Sequence, residues 1–265
     1  MTRFLSVFKI ICVSLLLAPL ASACDGQNID TNSVVPENIF LAVSNLYRTP
    51  EDRARDAGRK PAEVLAFYGV TEGMNVYEVG AGSGYYTDLL SLIVGQNGRV
   101  FAQYSKSSWN NSKAGFSKRF SSRGNVVPYI GEREKLKLPD NSVDMVMVSL
   151  IWHHMQYEDN SEELPQQTKV FLENTMRLLK PGGVLAIVEH EAVQGSSRAT
   201  AAGWHRSPRQ MTIDDVSAAG FEFAGASEVL ANAEDSLANY WRVEFEERDV
   251  SQRFVLKFTK PMASN

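Results

Sequence analysis

The sequence predicts a doubly wound α/β fold: a mostly parallel, seven-stranded sheet covered by helices on both faces, with a helical extension ahead of it. Three observations carry that expectation. From Asn75 onward, strand-like and helix-like runs alternate along the chain, the order that builds a parallel sheet. Several strand-like runs, such as VDMVMVSLI at 143–151 and GGVLAIVEHE at 182–191, are apolar on both faces, as strands buried between two helical layers are. The first strand runs directly into a turn with glycine at every second position, Gly80, Gly82 and Gly84.

Each element has its own signal. Residues 39–72 hold the helical extension, with apolar residues at three- and four-residue spacings and Pro61 at a first-turn position. Then come a strand at 75–80, a helix at 85–94 and a strand at 98–105, followed by a helix near 112–121 and a strand at 125–131. A polar loop leads to the strand at 143–151, a long helix at 162–179 and the strand at 182–191. A short helix at 212–220, with Thr212 as a candidate cap and Asp215 three residues on, precedes closing strands at 221–230 and 253–260.

The first 23 residues stand apart. Arg3 and Lys9 are followed by an apolar run from Ile10 to Leu20 and then the small residues ASA, the plan of a secretory signal peptide. The run falls short of the ~20 apolar residues that a lasting membrane span needs. LASAC, ending at Cys24, resembles a bacterial lipoprotein signal, which implies a lipid on Cys24 and a periplasmic, membrane-anchored protein. Plain cleavage after Ala23 is the alternative. Cys12 leaves with the signal, so Cys24 has no disulfide partner in the mature chain. Residues 24–38 read as a polar tether, and residues 73–260 as the folded domain.

The chain of 265 residues carries 27 basic and 31 acidic side chains, a net charge of −4. Loss of Arg3 and Lys9 with the signal makes it more acidic. Such a balance argues against nucleic acid as a partner, which requires clustered Lys and Arg. The local basic stretch RARDAGRK at 53–60 has Glu51, Asp52 and Asp56 around it and reads as the solvated face of a helix.

A turn as bare as 80–84 lets the backbone take φ > 0 and lets a ligand lie against it. The helix that follows offers unpaired N–H groups to an anionic group. VYEVGAGSG resembles the first motif of class I S-adenosylmethionine-dependent methyltransferases. GEREKLKLPDNSVDMVMVSLIWHH and RLLKPGGVLAIVEH resemble that family's fourth-strand and fifth-strand regions, and the likeness extends over about residues 58–260. Within the family the chain is similar to a group of exported bacterial predicted methyltransferases, through Arg59–Phe67, the turn at Gly84–Thr87 and the pair His205–Arg206. The resemblance implies a Rossmann-like fold, S-adenosylmethionine as cofactor and methyl transfer to a small-molecule or envelope acceptor.

It also implies site residues. The methionine part of the cofactor would lie over Gly80, Gly82 and Gly84, with Glu78 near its ammonium. Glu132 stands where the family has an acid near the adenine, or is a solvated loop acid. Tyr104 occupies the place of the family's ribose-binding acid, with Gln103 beside it; neither is a bidentate anionic acceptor. His154 and His190, ahead of His153 and His205, are candidates for a general base, or else strand-end packing. Trp152, Tyr157, Trp204 and Tyr240 are candidate pocket aromatics. No close ligand spacing such as H-x-x-x-H supports a metal site, and a set of His190, Glu191 and His205 is the weak exception weighed. The competing reading is a repurposed fold that binds another ligand in the same crevice, since S-adenosylmethionine is made in the cytoplasm and the ribose acid is missing. A nicotinamide dehydrogenase fits worse, because Tyr85 stands where its fingerprint needs the last glycine.

Overall fold

The computed structural model describes residues 35–135, 137–157, 163–245 and 247–263. The expected signal peptide 1–23, Cys24 and the tether as far as residue 34 lie outside the described residues.

Among the described residues four helices precede the sheet: α1 (Glu37–Val43), α2 (Pro50–Ala54), α3 (Asp56–Arg59) and α4 (Pro61–Tyr68). Pro50 and Pro61 each occupy a first helical position, where a missing N–H costs nothing. The helix α1 opens at Glu37, inside the last residues assigned to the tether. The sheet region then runs β1 (Asn75–Val79), α5 (Tyr85–Val94), β2 (Arg99–Tyr104), α6 (Lys106–Phe120), β3 (Val126–Ile130) and β4 (Val143–Ser149). A 3₁₀ turn at Trp152–Met155 is followed by α7 (Gln166–Leu178), β5 (Leu179–Ala192), α8 (Arg198–Gly203), β6 (Ser207–Pro208), α9 (Arg209–Ala218), β7 (Glu222–Ser227), α10 (Trp241–Glu244) and β8 (Arg253–Thr259).

The strand order is β3-β2-β1-β4-β5-β8-β7. All these neighbours are parallel except β8, which runs antiparallel to both β5 and β7. The seven strands form the doubly wound sheet expected from the sequence, and the two-residue β6 adds a bridge at the end of β5. The chain begins in the middle, winds out to β3, and restarts at β4 on the other side of β1. The order therefore reverses between β1 and β4, where open α/β sheets open a crevice for ligands.

Two apolar layers hold the sheet. Ile39, Val64, Leu65, Leu89 and Leu90 pack the α1, α4 and α5 face, with Val76, Met145 and Ala186 beneath them. Phe171, Leu172 and Val216 pack the opposite face, against Val146, Leu185 and Phe258. The Tyr68 hydroxyl donates to the Ile187 carbonyl at 2.8 Å and ties α4 to the centre of β5. The long helix α7 begins at Gln166 rather than at 162, and α8 and α10 were not expected; two further differences have a clear cause. α6 begins at Lys106, because Ser105 caps it by accepting the Ser108 N–H at 3.1 Å; only Phe120 of this polar helix is buried, so no apolar period marks its first half. α9 begins at Arg209, and Thr212 lies inside it with its hydroxyl donating to the Pro208 carbonyl at 3.2 Å. Thr212 is therefore not a cap.

Candidate active site

A cavity of about 440 Å³ opens beyond the carboxyl ends of β1, β4 and β5. Its floor is Glu78 and the glycine turn, and its inner wall is the end of β4 and the 3₁₀ turn. All four histidines of the chain, His153, His154, His190 and His205, line it.

The three glycines of the turn all have positive φ: +65° at Gly80, +59° at Gly82 and +87° at Gly84. Their surroundings differ. A Cβ on Gly80 would come within 2.7 Å of Ile151 Cδ1, and one on Gly84 within 2.8 Å of the Phe120 ring. A Cβ on Gly82 would meet only the Gly80 carbonyl, at 3.8 Å. Gly80 and Gly84 are bare because the protein packs against them, whereas Gly82 leaves open space in the cavity.

Glu78, at the end of β1, is buried and accepts a hydrogen bond from Thr87 Oγ1 at 2.5 Å. Burial pushes its carboxyl up to about 7, against the opposing pull of Thr87, Arg119 and Arg59. A buried carboxylate of this kind is suited to a bound ammonium, which would replace the water it has lost.

The other cofactor residues expected from the sequence fall elsewhere. Tyr104 is buried between Trp109 and Phe116, with ring centroids 5.3 and 5.9 Å away. It faces a separate cavity of about 670 Å³ against α6, which touches the main one only through Gly82 and Ser83. Gln103 is committed to the backbone: its Oε1 accepts the Gly80 N–H at 2.8 Å and its Nε2 donates to the Gly131 carbonyl at 2.7 Å. Glu132 is exposed and pairs with Lys135, outside the lining of the main cavity. It is the solvated loop acid.

The histidines form the densest cluster. Nε2 of His153 is 3.2 Å from Nδ1 of His205. The His153 and His154 ring centroids are 4.2 Å apart. His153 Nδ1 lies 3.0 Å from Glu189 Oε2, out of line for a hydrogen bond. Glu189 itself is fully buried, and its two oxygens accept the backbone N–H groups of His153 at 3.0 Å and His190 at 2.7 Å. His190 pairs through Nδ1 with Ser251 Oγ at 2.7 Å and stacks on Trp241 at 4.6 Å. Burial and then the nearby Arg253 hold His190 well below its ordinary value. Burial and its two histidine neighbours bring His154 down to about 4. Both are neutral at pH 7 and can accept a proton, but weakly. Glu191, by contrast, turns away to Arg209 at 2.9 Å and Gln252 at 3.0 Å, so it does not join His190 and His205 in a ligand set.

The mouth of the cavity is made by segments that the sequence reading passed over. Arg55, between α2 and α3, and Arg59 of α3 reach across to Asp249, with Nε to carboxylate distances of 2.7 and 2.9 Å. Burial works against the Asp249 anion, but the two arginines outweigh it and hold its carboxyl below the ordinary value. The Arg59 guanidinium lies 4.5 Å from the centre of the Tyr85 ring, within cation–π range. The stretch read as a solvated charge run is thus partly a cavity wall. Of the candidate aromatics, Tyr240 lines the cavity. Trp152 is core, packed with Phe171, and Tyr157 is exposed. Trp241, beside Tyr240, was missed: it sits in a segment without periodicity, and only its fold partner His190 reveals it.

Comparison with known proteins agrees with this geometry. Residues 77–187 match the methyltransferase domain family. The matched segment runs from within β1 to within β5 and contains the glycine turn and the 3₁₀ histidines. A ubiquinone/menaquinone biosynthesis C-methyltransferase of Laribacter hongkongensis is 29% identical over 131 residues, 49% of this chain and 48% of that protein. The chain spans about half the length of that curated relative. In structure, the fold is similar to a SAM-dependent methyltransferase from Aquifex aeolicus, with a TM-score of 0.56 and 23% identity over 80% of this chain and 93% of that one. It is also similar to Aeropyrum pernix fibrillarin with bound S-adenosyl-L-methionine, with a TM-score of 0.50 and 16% identity over 77% and 76% of the two chains. The fold is that of the class I methyltransferases.

Proposed function

We propose that the protein transfers a methyl group from S-adenosylmethionine to a small-molecule or envelope acceptor. The observation that carries this reading is Glu78, a buried carboxylate at the reversal of strand order, beside a glycine with free space over its backbone. The methionine ammonium would sit on Glu78 and the chain of the cofactor over Gly82. The methionine carboxylate has Arg55 and Arg59 within the same cavity to answer it. The sulfonium methyl would then point toward the histidine wall, where Tyr240 and Trp241 leave room for a flat acceptor. Transfer needs mainly in-line placement of the acceptor atom, and a neutral imidazole can take up a proton that the acceptor loses.

The signal-like segment and Cys24 support an exported, lipid-anchored protein in the periplasm, with an envelope component as the acceptor. The test is calorimetric titration of the purified protein with S-adenosylmethionine and S-adenosylhomocysteine, with Glu78→Ala as control. Micromolar binding that the substitution abolishes upholds the reading. Absence of binding at millimolar cofactor rejects it.

A further inference from the structure

Three imidazoles close on one point in the inner wall of the cavity. One ring nitrogen from each of His153, His154 and His205 lies within 4.8 Å of the other two, and the His153–His205 pair is at 3.2 Å. Two nitrogens on a tetrahedral zinc ion, with bonds of about 2.0–2.1 Å, stand about 3.3 Å apart. That pair therefore already has the spacing of a shared cation.

The frame around the rings is built for them. The helix α8 ends with the His205 N–H on the Ala202 carbonyl and the Arg206 N–H on the Ala201 carbonyl, both at 2.9 Å. His205 holds φ +56° at this helix end, a place that helices most often give to glycine. A histidine accepts an unfavourable backbone there and brings its ring to the cavity. Behind His153 stands the buried Glu189 carboxylate, 3.0 Å from Nδ1 while Nε2 faces His205. The same carboxylate oxygen accepts the His153 backbone N–H at 3.0 Å, which fixes the residue, and its negative charge beside the ring favours a cation on the far nitrogen. A hydrogen bond between His153 and His205 would by itself explain two rings, but not the third.

We propose that His153, His154 and His205 form a mononuclear site for a divalent ion of the zinc type, with a fourth position open to the cavity. Imidazole donors suit zinc, copper and nickel, and three protein ligands with one open position are the pattern of a catalytic rather than a structural zinc. The open position would take water, or the oxygen or sulfur of an acceptor hydroxyl or thiol. The site rests on the three rings and not on the methyl-transfer reading, so either can fail alone.

The test is zinc titration of the purified, tag-free protein after chelator treatment, followed by calorimetry and by metal content after dialysis. Cobalt substitution adds a visible spectrum that reports coordination number. One equivalent of zinc bound at micromolar or lower concentration, with a four-coordinate cobalt spectrum, is the expected result. His205→Gly is the decisive variant, because glycine suits φ +56° and the chain should fold with an undiminished melting temperature. It should lose stoichiometric zinc binding. Glu189→Gln should weaken binding by about 10–100-fold. Zinc held no better than background by the parent, or as tightly by a folded His205→Gly, overturns the site.

Discussion

The carboxamide of Gln103 fixes the Gly80 amide at 2.8 Å, holding the first glycine of the turn from the neighbouring strand. Its other end holds the Gly131 carbonyl at 2.7 Å, so one side chain sets the position of two loops at the ends of β1 and β3. Gln103→Leu keeps the volume and strands both partners. Both groups are only partly buried, and losing a hydrogen bond that water can partly replace costs about 0.5–1.5 kcal/mol. Urea unfolding should show a loss in that range, and cofactor affinity should fall as the turn loosens. A variant as stable as the parent would mean that water replaces the carboxamide.

Glu78 makes the free protein sensitive to pH in a stated direction. Its folded carboxyl holds its proton up to about 7, against an ordinary value of 4.5. As pH rises, the unfolded chain loses this proton first, so the group lowers stability progressively from about 4.5 to about 7. The full effect is about 3 kcal/mol, present above that window and absent below it. Glu78→Gln should remove this slope from the pH dependence of unfolding. Ligand binding should show the complement. An ammonium on Glu78 favours the ionised form, so cofactor binding at pH 6 should release a proton, seen as a dependence of calorimetric heat on buffer ionisation, and the variant should not.

The glycines of the turn should respond unequally to substitution. Gly84→Ala drives a methyl group into the Phe120 ring, and Gly80→Ala into Ile151; both should unfold at lower temperature. Gly82→Ala meets only ordinary contact distance and carries the backbone strain of a positive φ, about 1–2 kcal/mol. Gly82→Val should add to that a loss of S-adenosylmethionine binding, with circular dichroism near that of the parent. Cofactor binding that survives in Gly82→Val would place the ligand elsewhere.

Arg206 and Asp235 form a fully buried ion pair, at 2.8 and 3.0 Å. Asp235 also accepts the backbone N–H groups of Leu237 at 2.9 Å and Gln252 at 2.7 Å. Removing one partner of such a pair leaves a buried charge, at a cost of about 3–5 kcal/mol. Asp235→Ala should destabilise the protein by that order in chemical denaturation. It should also weaken ligand binding, since the Arg206 guanidinium holds the Asn239 carbonyl just ahead of Tyr240 and Trp241.

The sheet was legible because its signals are local. Apolar runs such as 143–151, and the glycines of the first turn, state their structure within a few residues. The walls of the cavity were not, because they are made by contacts across the chain. Arg55 and Arg59 look like a solvated charge run until Asp249 faces them. Tyr104 and Glu132 were placed by likeness to a family pattern; Tyr104 lines a neighbouring cavity that shares Gly82 and Ser83 with the main one, and Glu132 is exposed and paired with Lys135. The histidines show the same limit. His153 and His205 are 52 positions apart, so no ligand spacing links them, and only the 3₁₀ turn after β4 and the end of α8 bring the rings together. Glu78, Gly80, Gly82 and Gly84 were found because chemistry and conformation there share one short segment.

The arginine bridge at the mouth also sets an order in time. Arg55 and Arg59 are made early, whereas Asp249 lies 194 and 190 residues further on. The entrance takes shape only when the last segment arrives and the two ends of the protein meet. The same last segment brings β8 in between β5 and β7, so one late stretch of chain completes both the rim of the cavity and the sheet beneath it.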